Sequence, residues 1–557
     1  MQKILSAAEM REVDRLTVER FATPSLLLME SAAHASARAI AAHFPSGLQG
    51  ERVQILCGRG NNGGDGAALG RALWTLGAHV DIVLFGRAEE SKGDARANFE
   101  IVRCLSSFAS GTSERPSGLS YVECRGAAEW EEVARGARGY AVIVDALFGT
   151  GLTRPLEGVF RQVVEHLSLV REARRHARAA LPLVVSLDLP SGLNADAAEP
   201  IGEAVRADLT VTFTAPKPAN VLPPASHFNG RLIVAHIGSP DSLLDHSPSR
   251  LFLTEGVDVR AWLEKTRYGA DSYKYMHGHV LVLAGSRNYT GAAVLCANAA
   301  MRSGAGLVTA GAPVSALPSV AARLMPEVIT AAFSETPSGA LSFDALARIS
   351  ELAARATVVA IGPGLTSDHE ETRKLVREFV ERRHAPVVLD ADALNALAAW
   401  PSELRGTRRA PLILTPHAGE MLRLLGTDDR AALQDRVRVA SEFAQAHELI
   451  LVLKGTRTLV AAPDGRVFIN PTGNAGLGRG GSGDTLTGVV AGFLAQAFAA
   501  LKDDADALEA TIAAVYVCGL AGDLAARERG MRTMVATDVA AHLSDAMMKL
   551  DEEGERP

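Results

Sequence analysis

Residues 53–66 read VQILCGRGNNGGDG: a short apolar run, then a turn carrying Gly58, Gly60, Gly63, Gly64 and Gly66, and from Ala67 onward the composition of a helix. Strand, glycine-rich turn and helix in that order open a parallel α/β sheet, and Gly58, Gly60 and Gly63 have the GxGxxG spacing that lets backbone approach a phosphate. The spacing alone is a weak signal. A dinucleotide site also wants an acid at the end of the next strand, and here that strand ends Leu84, Phe85, Gly86. Asn61, Asn62 and Asp65 add amide and carboxylate oxygens, which suit a monovalent cation or ribose hydroxyls better than a bare pyrophosphate. A plain helix cap would explain any one of them singly.

Outward from this turn, near-continuous apolar runs alternate with Ala-rich stretches of helical period. Strands are expected at 53–57, 80–85, 141–144, 183–187, 209–213 and 232–237, and runs of that kind belong to a parallel sheet covered on both faces. Residues 238–250 (GSPDSLLDHSPSR) have no period and predict a linker. A second α/β series follows, with strands expected at 280–284, 306–310, 357–361, 386–389, 411–414 and 450–453. The expectation is therefore two α/β domains, residues 1–240 and 250–557, since 557 residues exceed what one core supports.

Composition narrows the function classes. With 47% hydrophobic and 22% charged residues the chain is not disordered by default. A formal charge of −7, and a densest basic run at 171–178 without interleaved aromatics, argue against nucleic acid. Five cysteines lack any CxxC or zinc-ligand spacing, and no stretch of 18 uninterrupted apolar residues exists. The reading is cytoplasmic, with no membrane partner.

Two further strands end in chemistry. The run 141–144 is followed by Asp145 and the Gly-rich turn Gly149, Thr150, Gly151, Leu152, Thr153, Arg154, Pro155, whose amides could cradle phosphate. The run 183–187 is followed by Asp188, Leu189, Pro190, Ser191, Gly192. A carboxylate directly after an apolar strand is placed where burial tunes it for proton transfer.

The longest such signal in the second half is 473–484, GNAGLGRGGSGD, running into the helical TLTGVVAGFLAQAF. Close backbone amides at a helix N-terminus attract an anion, and Asp484 stands at its rim, able to take a proton from a hydroxyl attacking a phosphoryl group. Asp390 and Asp392 could order magnesium or cap a helix.

GRGNNGGDG, DALFGTGL, DLPSG and APKP (215–218), in this order, resemble the NAD(P)H-hydrate epimerase domain, a Rossmann-like αβα sandwich; Ser31 and Ala67 depart from its pattern. The resemblance implies that Asn61, Asn62, Gly63, Gly64 and Asp65, with Gly149 to Pro155, contact the hydrated dinucleotide, with Asp188 catalytic at the reacting ring. It implies a potassium ion held by Asn62, Asp145 and Ser191. The second half resembles the ADP-dependent NAD(P)H-hydrate dehydratases of the ribokinase-like superfamily, through GGSGD, KGTRT (454–458), TPHAGE (415–420) and GPGL (362–365). This implies that Ala292, Gly364, His417 and Asp484 hold the hydrate, with Asp484 catalytic, and that Lys454, Gly455, Thr456, Arg457, Thr458 and Gly483 hold ADP, which brings magnesium. The segment 272–279 departs from the usual start of that domain, only Lys274 surviving.

The activity implied is repair of hydrated NADH and NADPH (NADHX and NADPHX). The first domain interconverts the two epimers, and the second dehydrates one of them with ADP. A homo-oligomer is expected. Two rivals stand beside this: a small-molecule kinase in the second half, which GGSGD alone permits but TPHAGE and KGTRT oppose, and a non-catalytic nucleotide-binding module in the first.

Overall fold

The computed structural model describes residues 1–110, 118–136, 139–177 and 182–555. The basic run 171–178 falls on the last turns of the helix Val159–Ala177, its final residue lying outside the described residues. The chain forms two compact units, Lys3–Ser249, and Arg250–Pro557 together with Met1–Gln2.

In the first unit an all-parallel, seven-stranded sheet runs in the order Leu119–Cys124, His79–Phe85, Arg52–Cys57, Val142–Ala146, Leu183–Leu187, Leu209–Phe213, Arg231–Ala235. Val53 through Cys57 and all of Val142–Ala146 are buried, as strands covered on both faces must be. Strand order reverses between Arg52–Cys57 and Val142–Ala146, and a crevice opens at the carboxyl ends of strands that diverge in this way. The strand Leu119–Cys124 was not expected from the sequence. Only its end residues Leu119 and Cys124 are buried, as suits an edge strand, so it lacks a continuous apolar run.

Two expectations need correcting here. The helix after the glycine turn begins at Asn61, not Ala67, so NNGGDG forms the first turns of Asn61–Thr75. Glycine makes this possible, because a Cβ on Gly63 would stand 1.7 Å from the Gly58 carbonyl oxygen. Residues 238–250 are not simply linker: they contain the helix Asp241–Asp245 and belong, up to Ser249, to the first unit.

In the second unit, parallel strands run in the order Ile329–Phe333, Leu307–Pro313, His279–Leu283, Val358–Ile361, Val387–Leu389, Leu412–Leu414, Ile450–Leu453. Antiparallel Leu459–Ala461 and Val467–Ile469 extend the sheet, followed by Leu251–Leu253. These three and Ile329–Phe333 were unforeseen, being three residues long or, for Ile329–Phe333, largely unburied. The helix Ser482–Ala500 is buried from Val489 to Ala497 and lies against Thr290–Arg302 so closely that a Cβ on Gly488 would meet the Cys296 carbonyl oxygen at 2.1 Å. The helix Ala507–Arg529 has the length and hydropathy of a membrane span, but 67% of its apolar window is buried inside this unit, as in a core helix.

Candidate active sites

At the switch point of the first unit lies a cleft of about 960 Å³. Asp188 lines it, directly after Leu183–Leu187 and at φ 63°, a conformation that costs a non-glycine residue. Asp188 Oδ1 accepts from Thr212 Oγ1 at 3.1 Å and pairs with the ammonium of Lys217 at 2.5 Å. Lys217, 1% exposed, also donates to Thr212 Oγ1 and to the Phe213 carbonyl. Asp188 Oδ2 accepts no hydrogen bond among the described residues, and a Cβ on Gly149 would lie 3.3 Å from it. One carboxylate oxygen is thus held, and the other faces the cleft.

Asn61, Asn62, Asp65, Gly149, Thr150, Gly151, Leu152, Arg154 and Pro155 line the same cleft. Gly63 and Gly64 do not, being packed against Gly58 and against Ala95 and Met29; Thr153 is exposed outside it. Burial, reinforced by the charges of Asp188 and Asp14, raises Asp65 well above the usual carboxylate range.

Asp145 and Ser191 do not line the cleft, but Ser191 Oγ accepts from the backbone N–H of Phe148, which does, at 3.0 Å. Asp145 is fully buried and accepts from Ser191 N at 2.9 Å, Ser186 Oγ at 2.8 Å and Ser191 Oγ at 2.5 Å; burial raises its pKa, these donors opposing. Nearby Asn62 has both amide atoms buried without a hydrogen-bond partner among the described residues.

In the second unit three neighbouring strands end in polar residues that meet. Asp390 follows Val387–Leu389, Thr415 follows Leu412–Leu414 and Lys454 follows Ile450–Leu453. Asp390, 1% exposed, accepts from Lys454 Nζ at 2.7 Å, Thr415 Oγ1 at 2.8 Å and Thr487 Oγ1 at 2.9 Å. Burial pushes Asp390 up, but Lys454 and the two hydroxyls outweigh it and hold it below its ordinary value.

Asp484 lies in the first turn of Ser482–Ala500, behind Gly481 at φ 92°. Burial and the charge of Asp390 push it up to about 6, against the pull of Lys454. Gly483 borders both groups, its Cβ position being 3.3 Å from Lys454 Nζ and 3.6 Å from Asp390 Oδ2. A carboxylate titrating near 6 at a helix N-terminus, with a lysine beside it, can accept a proton while the amides stabilise a phosphoryl group.

The other expected residues divide. Ala292 and Gly364 are brought together, the Cβ position of Gly364 lying 2.9 Å from Ala292 Cβ. His417 caps the helix Ala418–Leu424: its Nδ1 accepts from Gly419 N at 3.0 Å, while Glu420 Oε2 accepts from His417 N at 2.8 Å. Its imidazole is nonetheless 56% exposed, and Glu420 reaches Lys454 at 3.8 Å. Of KGTRT, Lys454 turns inward, Gly455 and Thr456 are exposed, and Arg457 turns back onto the Pro471 carbonyl at 2.7 Å. Thr458 Oγ1 closes the loop on the Gly455 carbonyl at 3.2 Å. Asp392 accepts from Thr366 N at 2.9 Å and Ser367 Oγ at 3.2 Å.

Residues 280–545 match the family described as NAD(P)H-hydrate dehydratase, and residues 25–219 match the YjeF-related protein N-terminus. The bifunctional NAD(P)H-hydrate repair enzyme of Moorella thermoacetica is 40% identical over 99% of this chain and 98% of its own length. The chain belongs to that family. The repair enzyme of Salinibacter ruber, in the same family, is 36% identical over 96% of this chain and 94% of its own. The solved ADP/ATP-dependent NAD(P)H-hydrate dehydratase of Bacillus subtilis, co-crystallized with ATP/Mg2+, is 32% identical over 54% of this chain and 98% of its own, with a TM-score of 0.46.

Sequence reasoning passed over two residues of the repair-enzyme clefts. Lys217 stood inside APKP, but nothing local said that it reaches back to Asp188. Asp14 had no signal at all: in MREVDRL it reads as one more charge on a solvated helix, yet it lines the first cleft with one carboxylate oxygen buried.

Proposed function

We infer that this chain repairs hydrated NADH and NADPH, with the epimerase in its first unit and the ADP-dependent dehydratase in its second. The observation that carries the second activity is the setting of Asp484: poised near 6, at a helix N-terminus, beside Lys454. Hydration leaves a hydroxyl on the ring carbon next to nitrogen, and hydroxide is a poor leaving group. Asp484 takes the hydroxyl proton as the oxygen attacks the β-phosphoryl group of ADP, and AMP departs. The amides of Gly480 to Gly483 and the Lys454 ammonium offset the charge that develops on the phosphoryl oxygens. Loss of phosphate together with a ring proton then restores the dihydropyridine. A chiral pocket of this kind takes one epimer, and the first unit supplies it from the other.

Magnesium fits best as a passenger on the nucleotide, since Asp390 is already spent on Lys454 and the ion prefers phosphate oxygens and water. For potassium, the unpartnered amide of Asn62 and the buried carboxylate of Asp145, whose ionisation burial opposes, fit a cation. Asn62, Asp145 and Ser191 would hold it. It would supply positive charge beside the cleft, where it would favour an anionic ligand.

Mixed hydrates, magnesium and ADP or ATP are incubated with the protein while the reduced-nicotinamide absorbance is followed. Full recovery from both epimers is expected. If neither nucleotide restores the absorbance, the second unit is a kinase for some other hydroxyl and this reading fails.

A further inference from the structure

We propose that Asp14, on the helix Ala7–Phe21, is the proton donor of the first cleft, protonating the ring hydroxyl so that it leaves as water before water returns to the opposite face. The inference rests on the epimerase reading and goes past it, because the residues that the family resemblance implies for this site do not include Asp14. Asp14 lines the cleft together with Asp188, Lys217 and Asn62. Its Oδ1 is buried and has no hydrogen-bond partner among the described residues. A buried carboxylate oxygen without a donor is costly as an anion, and the cost falls if the group keeps its proton or meets a ligand.

The surroundings separate Asp14 from Asp188, two of the acids that line the cleft. Asp188 is bonded to the Lys217 ammonium. Asp14 has no such bond, and burial, with the repulsion of Asp188 opposing the pull of Lys217, pushes it up to about 6. Asp65 on the helix Asn61–Thr75, with Asp188 and Lys217 in the loops after sheet strands, shares the cleft with it, and Arg11 and Arg15 lie along its own helix, Arg15 being held by Glu12 and Glu19. The helix packed beside it brings Asp241 and Asp245.

The chemistry balances with water alone. The hydroxyl carbon is bonded to the ring nitrogen, so when Asp14 gives its proton to the hydroxyl oxygen the C–O bond breaks, its electron pair leaves with the water, and the nitrogen lone pair makes the carbon an iminium. Water adds to the other face and sheds its proton to solvent, from which the Asp14 carboxylate is reprotonated. Nothing is oxidised or reduced.

Interconversion of the two epimers is followed chromatographically in water enriched in oxygen-18, with the spontaneous rate subtracted. Wild-type protein that does not accelerate interconversion sinks the epimerase reading itself. Given an active wild type, one solvent oxygen is expected in the product for each inversion. The wild-type rate is expected to fall as pH rises above about 6. Asp14→Asn is expected to lose about 100-fold in rate and to lose that falling limb. An unaltered rate in Asp14→Asn, or inversion that retains the original oxygen, overturns the proposal. Should the Asn variant fail to fold, judged by its melting curve, the isotope result on the wild type decides alone.

Discussion

Each unit sets an aspartate at the end of a parallel strand against a lysine, but the two pairs are finished differently. Asp390 has a donor on each oxygen: Lys454 and Thr415 on one and Thr487 on the other. Asp188 leaves Oδ2 open to the cleft and bends the backbone to φ 63° to put it there. A carboxylate bonded on both oxygens organises its neighbours, whereas one with a whole oxygen free of protein donors can act on a ligand. On the proposed reading the acting acid of the second unit is therefore a separate residue, Asp484, while in the first Asp188 itself faces the cleft and Asp14 joins it.

The sharpest way to break this comparison is Asp484→Asn. Dehydration is expected to fall by about 1,000-fold, with epimer interconversion unchanged. Stability should move the other way. Asp484 is pushed above its ordinary 3.8 to about 6, so folding favours its protonated form: that contribution is complete below 3.8 and lost as pH rises through 6. The Asn variant is therefore expected to melt above the wild type at pH 8 and level with it near pH 3.5. Equal melting at both values would show that Asp484 is not desolvated.

Next in size are the lysines. Lys454→Met leaves the fully buried Asp390 without its cation and is expected to cost about 3–5 kcal/mol in denaturant unfolding. Lys217→Met should cost less, about 2 kcal/mol on the same grounds, because Asp188 opens to a cleft that admits water. Equal losses would erase the distinction between the two pairs. The smallest effect is expected for His417→Ala, about 1 kcal/mol from the lost helix cap. A loss of hydrate affinity in that variant, read from KM, would assign the exposed imidazole to the ligand as well.

What the sequence revealed follows how local each feature is. The α/β class and both glycine turns were legible because apolar runs next to glycine are contiguous in the chain. Leu459–Ala461 and Val467–Ile469 were not, since three residues carry no period and tertiary pairing alone makes them strands. Asp188, Asp484 and Lys454 stood out inside motifs. The partnerships Lys217 with Asp188 and Lys454 with Asp390 span 29 and 64 residues, and only the folded sheet brings them together.

The contact between Ser482–Ala500 and Thr290–Arg302 has a mechanical meaning. With Gly488 against the Cys296 carbonyl, and the Cβ position of Gly492 only 2.0 Å from Ser303 Oγ, neither helix can slide or roll past the other without steric overlap. The amides before Asp484 are thus bolted to a stiff beam. Adjustment to an arriving nucleotide falls to thinner parts such as the exposed Gly455 and Thr456, and deuterium uptake should be slowest along that beam.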